Sequence, residues 1–205
     1  MTLGVSPAAA IDVKLTMEEA KKALAAGREP MLRASESAKP EEEIKKILQR
    51  ASMATRIGAE PEKDPCGASA ILRTKRFWLE QFGRQEATES KKHHAEIRMP
   101  EEKIQKLLDM PNLEVEVQLC GEDEYFAEGA QVVFQQGSKI IKPVDVGQPE
   151  RGRKIELPDK TTAYRTRFTA RFAYDSFDPL AKTKVIINLM DGKQFELAAD
   201  FSKIN

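Results

Sequence analysis

Histidine, tyrosine, tryptophan and cysteine are all scarce in this 205-residue sequence, and each scarcity removes a class of function. The two histidines, His93 and His94, are neighbours. A serine or cysteine nucleophile needs a nearby base, and with both histidines in one polar stretch neither a G-x-S-x-G elbow nor a Cys-His arrangement is visible. Adjacent side chains diverge on a helix or a strand, so the pair does not suit one metal ion and reads as the surface of a polar linker. One Trp and three Tyr provide no stacking platform for single-stranded nucleic acid. The 33 basic and 33 acidic residues cancel, which leaves no global attraction to a phosphate backbone. Glycine-rich phosphate loops and dinucleotide fingerprints are missing. No apolar run approaches the length of a membrane-spanning helix.

What is there suits a globular protein, with 40% hydrophobic and 32% charged residues and enough length for one large domain or two small ones. Leu3-Gly4-Val5-Ser6-Pro7-Ala8-Ala9-Ala10 has the form of the end of a secretory signal, Ala8 and Ala10 being the small residues of an A-x-A cleavage site before Ile11. The basic start and most of the apolar core of such a signal are missing, as in a chain read from a late start or trimmed from a longer precursor. Export changes how Cys66 and Cys120 are read: in an oxidising compartment they can close a disulfide between the helical part and the first sandwich strand. Two separately buried thiols fit the sequence as well.

Thr16-Met17-Glu18-Glu19 is a capping box, and the apolar period that follows predicts a helix ending or kinking at Gly27 or Pro30. Pro40 opens a second helix with three Glu in its first turn and a core-seeking stripe at Ile44, Ile47, Leu48 and Ala51. Gly58, Pro61, Pro65 and Gly67 predict a loop over 57–67. An extended entry over 68–74 leads to a helix reaching about Glu89, with Trp78 as a core anchor rather than a cofactor-stacking residue. A polar loop then precedes a helix from Pro100 with Ile104, Leu107 and Leu108 inside.

After Asn112 the period changes to two. Leu113, Val115, Val117 and Leu119 alternate with polar residues, and strands are predicted at 130–136, 139–146, 163–174, 183–190 and 193–199. Asp191-Gly192 predicts a type I′ hairpin. Strands of this length and spacing point to an antiparallel sandwich of immunoglobulin-like kind. The strand over 183–190 is apolar on both sides, with Ile186 and Met190 opposite Val185, Ile187 and Leu189. Together with Val133 it predicts that helices cover part of an outer sheet face.

Two polar constellations stand out. Arg165, Arg167 and Arg171 share one side of the strand over 163–174, opposite Tyr164, Thr166, Phe168, Ala170 and Phe172. Such a stripe can bind an acidic partner, or pair across strands with Glu114 and Glu116. Asp175, Asp178 and Asp200 can supply oxygens to Ca²⁺, or simply cap turns around the Phe-Asp-Pro segment. No other cofactor is implied.

The opening Asp12-Val13-Lys14-Leu15-Thr16-Met17-Glu18-Glu19-Ala20, the segment Phe172-Ala173-Tyr174-Asp175-Ser176-Phe177-Asp178-Pro179, Asp191-Gly192-Lys193 and Asp200-Phe201-Ser202-Lys203-Ile204 resemble uncharacterised exported bacterial proteins, some of them lipid-anchored. The resemblance covers both ends and about half of the chain. It implies export to the periplasm or beyond and a β-rich C-terminal module. It carries no activity, and without a lipobox cysteine near the start it does not carry anchoring.

The reading is thus an α+β protein: a residual signal or arm over 1–11, a helical part over 12–111 and a β-sandwich over 112–205. The absence of a catalytic motif favours an exported binding or structural module for another envelope protein or polymer. The alternatives are an enzyme whose polar site is assembled from distant residues, and an accessory subunit of an envelope complex.

Overall fold

The computed structural model describes residues 11–204; the Ala8 and Ala10 cleavage-site reading lies outside them. Among the described residues there are four α-helices and two antiparallel sheets.

Helix α1 (Met17–Ser35) begins with the reciprocal bonds of a capping box. Thr16 Oγ1 accepts the Glu19 N–H at 3.2 Å, and Glu19 Oε2 accepts the Thr16 N–H at 2.8 Å. The helix then runs through Gly27 and Pro30, where an end or kink is expected. Its buried face continues across both, from Ala20, Ala23 and Leu24 to Met31 and Ala34, so packing overrides the two breakers. Helix α2 (Pro40–Met53) has the expected acidic first turn, but its stripe is not core-seeking: the helix buries no residue, and Leu48 is 48% exposed.

Helix α3 (Lys75–His93) is capped by Thr74, whose Oγ1 accepts the Phe77 N–H at 3.1 Å. It is one turn longer than expected, so His93 lies in its last turn and His94 ends it in the left-handed region. Helix α4 (Glu101–Leu108) buries Ile104. Ala20, Ala23 and Leu24 of α1 form a small helical core of their own with Leu79 and Ile104. Lys75 Nζ donates to the Leu108 carbonyl and ties α3 to the end of α4.

The crossing of α1 and α3 rests on two glycines. A Cβ at Gly83 would stand 2.0 Å from the Leu24 carbonyl oxygen, and one at Gly27 2.0 Å from that of Glu80. The helices run parallel, since Leu24 meets Gly83 while Arg28 reaches Glu86 and Lys91 reaches Ser35 further along.

The first sheet has the order β1 (Arg56–Gly58), β2 (Ser69–Arg73), β3 (Asn112–Gly121), β8 (Thr162–Ala173), β6 (Asp145–Val146), and β7 (Arg153–Glu156) also pairs with β8. The second has the order β10 (Gln194–Asp200), β9 (Lys182–Asn188), β4 (Gln131–Gln136), β5 (Lys139–Ile141). Inward residues of both sheets form one core, in which Phe134 of the second stacks on Phe172 of the first with ring centroids 3.6 Å apart. Burying an aromatic or aliphatic side chain of this size contributes about 1.5–3 kcal/mol.

Several strand expectations are corrected. The run over 139–146 is two strands in different sheets, because the chain crosses between them around Pro143, which cannot donate to a ladder. The hairpin at Asp191-Gly192 is not of the type I′ form: its connection is Met190-Asp191-Gly192, and among the three only Gly192 has positive φ, at 86°. Met190 therefore sits in the turn, 76% exposed, rather than on an apolar strand face.

The loop expected over 57–67 starts inside β1. Both β1 and β2 come from the predominantly helical part and join the first sheet beside β3, so the two parts interleave in one sheet. The helices do not lie over Val133 and Ile186; their main sheet contact is α3 against β2. Ile186 is instead flanked within its own sheet by Val133 and by the Lys184–Glu196 ion pair at 2.8 Å.

Candidate functional site: an arginine face on the first sheet

The alternation of β8 holds. Phe168, Ala170 and Phe172 are buried in the core shared by the two sheets, while Arg165, Arg167 and Arg171 lie on the outer side of the first sheet. Residues directly opposite in a sheet share a side, so the register places further arginines there. Arg153 of β7 faces Arg165, Arg73 of β2 faces Glu114, and Arg56 of β1 faces Ile71.

The acids on this face are already engaged. Arg171 is held by Glu114 at 3.2 Å and Asp145 at 2.9 Å, and the hydrogen bond that it donates to Glu114 raises its pKa above the ordinary arginine value. Glu116, expected to pair with the stripe, pairs instead with Arg73, whose guanidinium also lies 5.2 Å from the ring centre of Trp78.

Arg165 has a structural duty. Its Nη2 donates to the Pro65 carbonyl at 2.7 Å, across 100 positions of sequence, and so clamps the loop between β1 and β2 onto the sheet. The same loop is tied down beside it by the disulfide Cys66–Cys120, whose Cα atoms are 5.3 Å apart, Cys120 being the register partner of Arg165. Arg56 donates from Nη1 to Ser69 Oγ at 2.7 Å. Burial is the main cause that lowers its pKa below the ordinary arginine value; repulsion from Arg167 acts in the same direction, and Glu116 opposes both.

Arg153 and Arg167 are exposed. Among the described residues, no carboxylate lies within 4.0 Å of Arg56, Arg153, Arg165 or Arg167, because Glu114, Glu116 and Asp145 are taken by Arg171 and Arg73. Residues two apart on a strand are roughly 7 Å apart, inside the screening length of about 8 Å at physiological salt. An approaching anion therefore feels Arg165 and Arg167 together with Arg153, the register partner of Arg165, while Arg56 stands three strands from β8 on the same side. Guanidinium forks accept carboxylate, phosphate or sulfate through paired N–H donors, and they stay charged at neutral pH.

Of the stripe read from sequence, Arg167 is free, Arg165 is committed to the loop and Arg171 is neutralised. Arg56 and Arg153 were missed. Ile155-Glu156-Leu157 is a brief alternation that could have hinted at β7, whereas Arg56 stands just before the stretch over 57–67 where glycine and proline signal a loop.

The other candidates are not assembled into a site. Asp178 Oδ1 accepts the Leu180 N–H at 2.9 Å, and Asp200 Oδ1 accepts the Ser202 N–H at 3.2 Å. These are turn and cap roles. Among the described residues no three His, Cys, Asp or Glu side chains gather as a metal-ligand set, so Asp175, Asp178 and Asp200 are not brought together for Ca²⁺. Trp78 packs edge-on against Phe77 with centroids 5.6 Å apart. Its indole N–H is buried without a partner among the described residues. His93 lies 3.2 Å from Glu89 on the surface of α3. No helix among the described residues is long and apolar enough to cross a membrane. No family model, curated protein or solved structure matches this chain.

Proposed function

We propose that this chain is an exported, non-catalytic binding module whose two-sheet sandwich, immunoglobulin-like in general architecture, presents an arginine face to an acidic component of the cell envelope. The observation that carries the reading is the placement of Arg153, Arg165 and Arg167 on one side of the paired strands β7 and β8, with Arg56 on the same side of the sheet at β1, and no carboxylate within 4.0 Å of any of them among the described residues. Like charges held together in this way raise the energy of the free protein, and an anionic partner relieves it. A cystine closing the loop beside the face suits an oxidising compartment. The partner is taken to be an acidic polymer or the acidic surface of another protein.

Arg153 and Arg167 are the residues to change, because neither holds the fold together. R153Q/R167Q removes two charges from the face, and K45Q/K46Q removes two from exposed α2. On immobilised polyphosphate or polyglutamate, the wild type and the α2 variant should elute at similar salt and the face variant clearly earlier. Equal elution of the two variants would show that net charge alone governs retention and would remove the basis for a specific face.

A further inference from the structure

A second site lies on the helical part and does not depend on the arginine face. Between α3, α4 and the segment that joins them is an open cleft of about 530 Å³, within the size range of small-ligand pockets. Its apolar floor is Phe82, Ile97, Met99, Leu107 and Met110, all only half-buried. The wall is pre-formed. Glu86 Oε1 accepts the Met99 N–H at 2.6 Å while Glu86 Oε2 meets Arg28 at 3.0 Å, so that carboxylate both fixes the segment and is neutralised from α1.

The remaining charges of the lining sort themselves in the same way. Arg98 pairs with Glu96 at 2.5 Å, and Glu89 lies 3.2 Å from His93 and 4.0 Å from Lys92. Lys103 and Lys106 are left with no carboxylate within 4.0 Å among the described residues. They stand on the same side of α4 as Leu107, three and four positions apart, at the cleft. A half-exposed apolar floor beside two uncompensated ammonium groups complements a molecule with one apolar tail and one anionic head. We infer that the α3–α4 cleft binds a single-chain anionic amphiphile, a long-chain carboxylate or phosphate monoester, with its tail on Phe82, Met99 and Leu107 and its head on Lys103 and Lys106.

The only tryptophan provides the readout, because the Trp78 and Phe82 ring centres are 6.3 Å apart and Phe82 lines the cleft. The full chain is titrated with a brominated long-chain carboxylate, the matching phosphate monoester and the matching alcohol, all below their micelle concentrations, and separately with phosphatidylglycerol vesicles. Both anions should quench Trp78 saturably, and the alcohol should bind about tenfold more weakly, as expected for two exposed ion pairs. K103Q/K106Q, at exposed positions, should bring the anions down to the level of the alcohol and leave the alcohol unchanged. Absence of saturable quenching, equal binding of anion and alcohol, or an unaffected variant would each overturn the assignment. Binding to vesicles but to no monomeric amphiphile would overturn it as well, in favour of a bilayer surface.

Discussion

A single methyl group at Gly83 should weaken the whole helical part, although intrinsic propensity predicts the reverse. Gly to Ala inside a helix ordinarily gains about 1 kcal/mol. Here the new Cβ would stand 2.0 Å from the Leu24 carbonyl oxygen, 2.9 Å from its carbon and 3.0 Å from the Arg28 nitrogen, where ordinary contact begins at 3.4 Å. All three are backbone atoms, so no rotamer change relieves them. The helices must part by more than an ångström, which loosens Ala20, Ala23, Leu24 and Leu79 at once. Overpacking of this kind typically costs about 1–3 kcal/mol and occasionally more. With no flexible neighbour to give way, the cost should lie at the upper end, about 3 kcal/mol, and after the propensity gain of about 1 kcal/mol the net loss for G83A should be about 2 kcal/mol. At a urea slope of about 2–3 kcal/mol/M, the unfolding midpoint should fall by roughly 1 M with the slope unchanged. G27A should behave similarly against Glu80, and the double variant should lose less than the sum, because helices already parted relieve the second clash. A26G, on the exposed side of α1, isolates propensity and should lose only about 1 kcal/mol. A G83A protein as stable as the wild type would refute the close crossing.

Two further outcomes follow from local chemistry. Cys66 and Cys120 are 54 positions apart, and a cross-link over a span of that order contributes roughly 2–4 kcal/mol; C66S/C120S should unfold at lower urea than the oxidised wild type and be indifferent to dithiothreitol, while the wild type shifts on reduction. Backbone and hydroxyl hydrogen bonds from Thr16 hold the Glu19 carboxyl below its usual range. A lowered folded-state pKa gives stability that is present above the unfolded value near 4.3 and lost as pH falls through the folded one. The destabilisation of E19A, followed by thermal melts, should therefore be evident at pH 7 and smaller at pH 3; a deficit independent of pH would refute the charged cap.

The capping box at Thr16, the helix from Pro40, the alternation of β3 and the outward turn of Arg165, Arg167 and Arg171 were legible in the sequence. Each depends on a residue's own neighbours along the chain, and the period of two assigns a strand's sides without reference to what covers them. The arginine face as a site was not legible, because its character comes from pairings made across the fold. Which arginine remains free was decided when Glu116 met Arg73 rather than the stripe, and when Arg165 found Pro65 a hundred positions away. The addition of β1 and β2 to the first sheet, the crossing between sheets near Pro143 and the meeting of Gly27 and Gly83 with facing carbonyls belong to the same class. Glycine and proline mark breaks when read locally, and only tertiary packing shows whether a glycine ends a helix or lets another helix approach it.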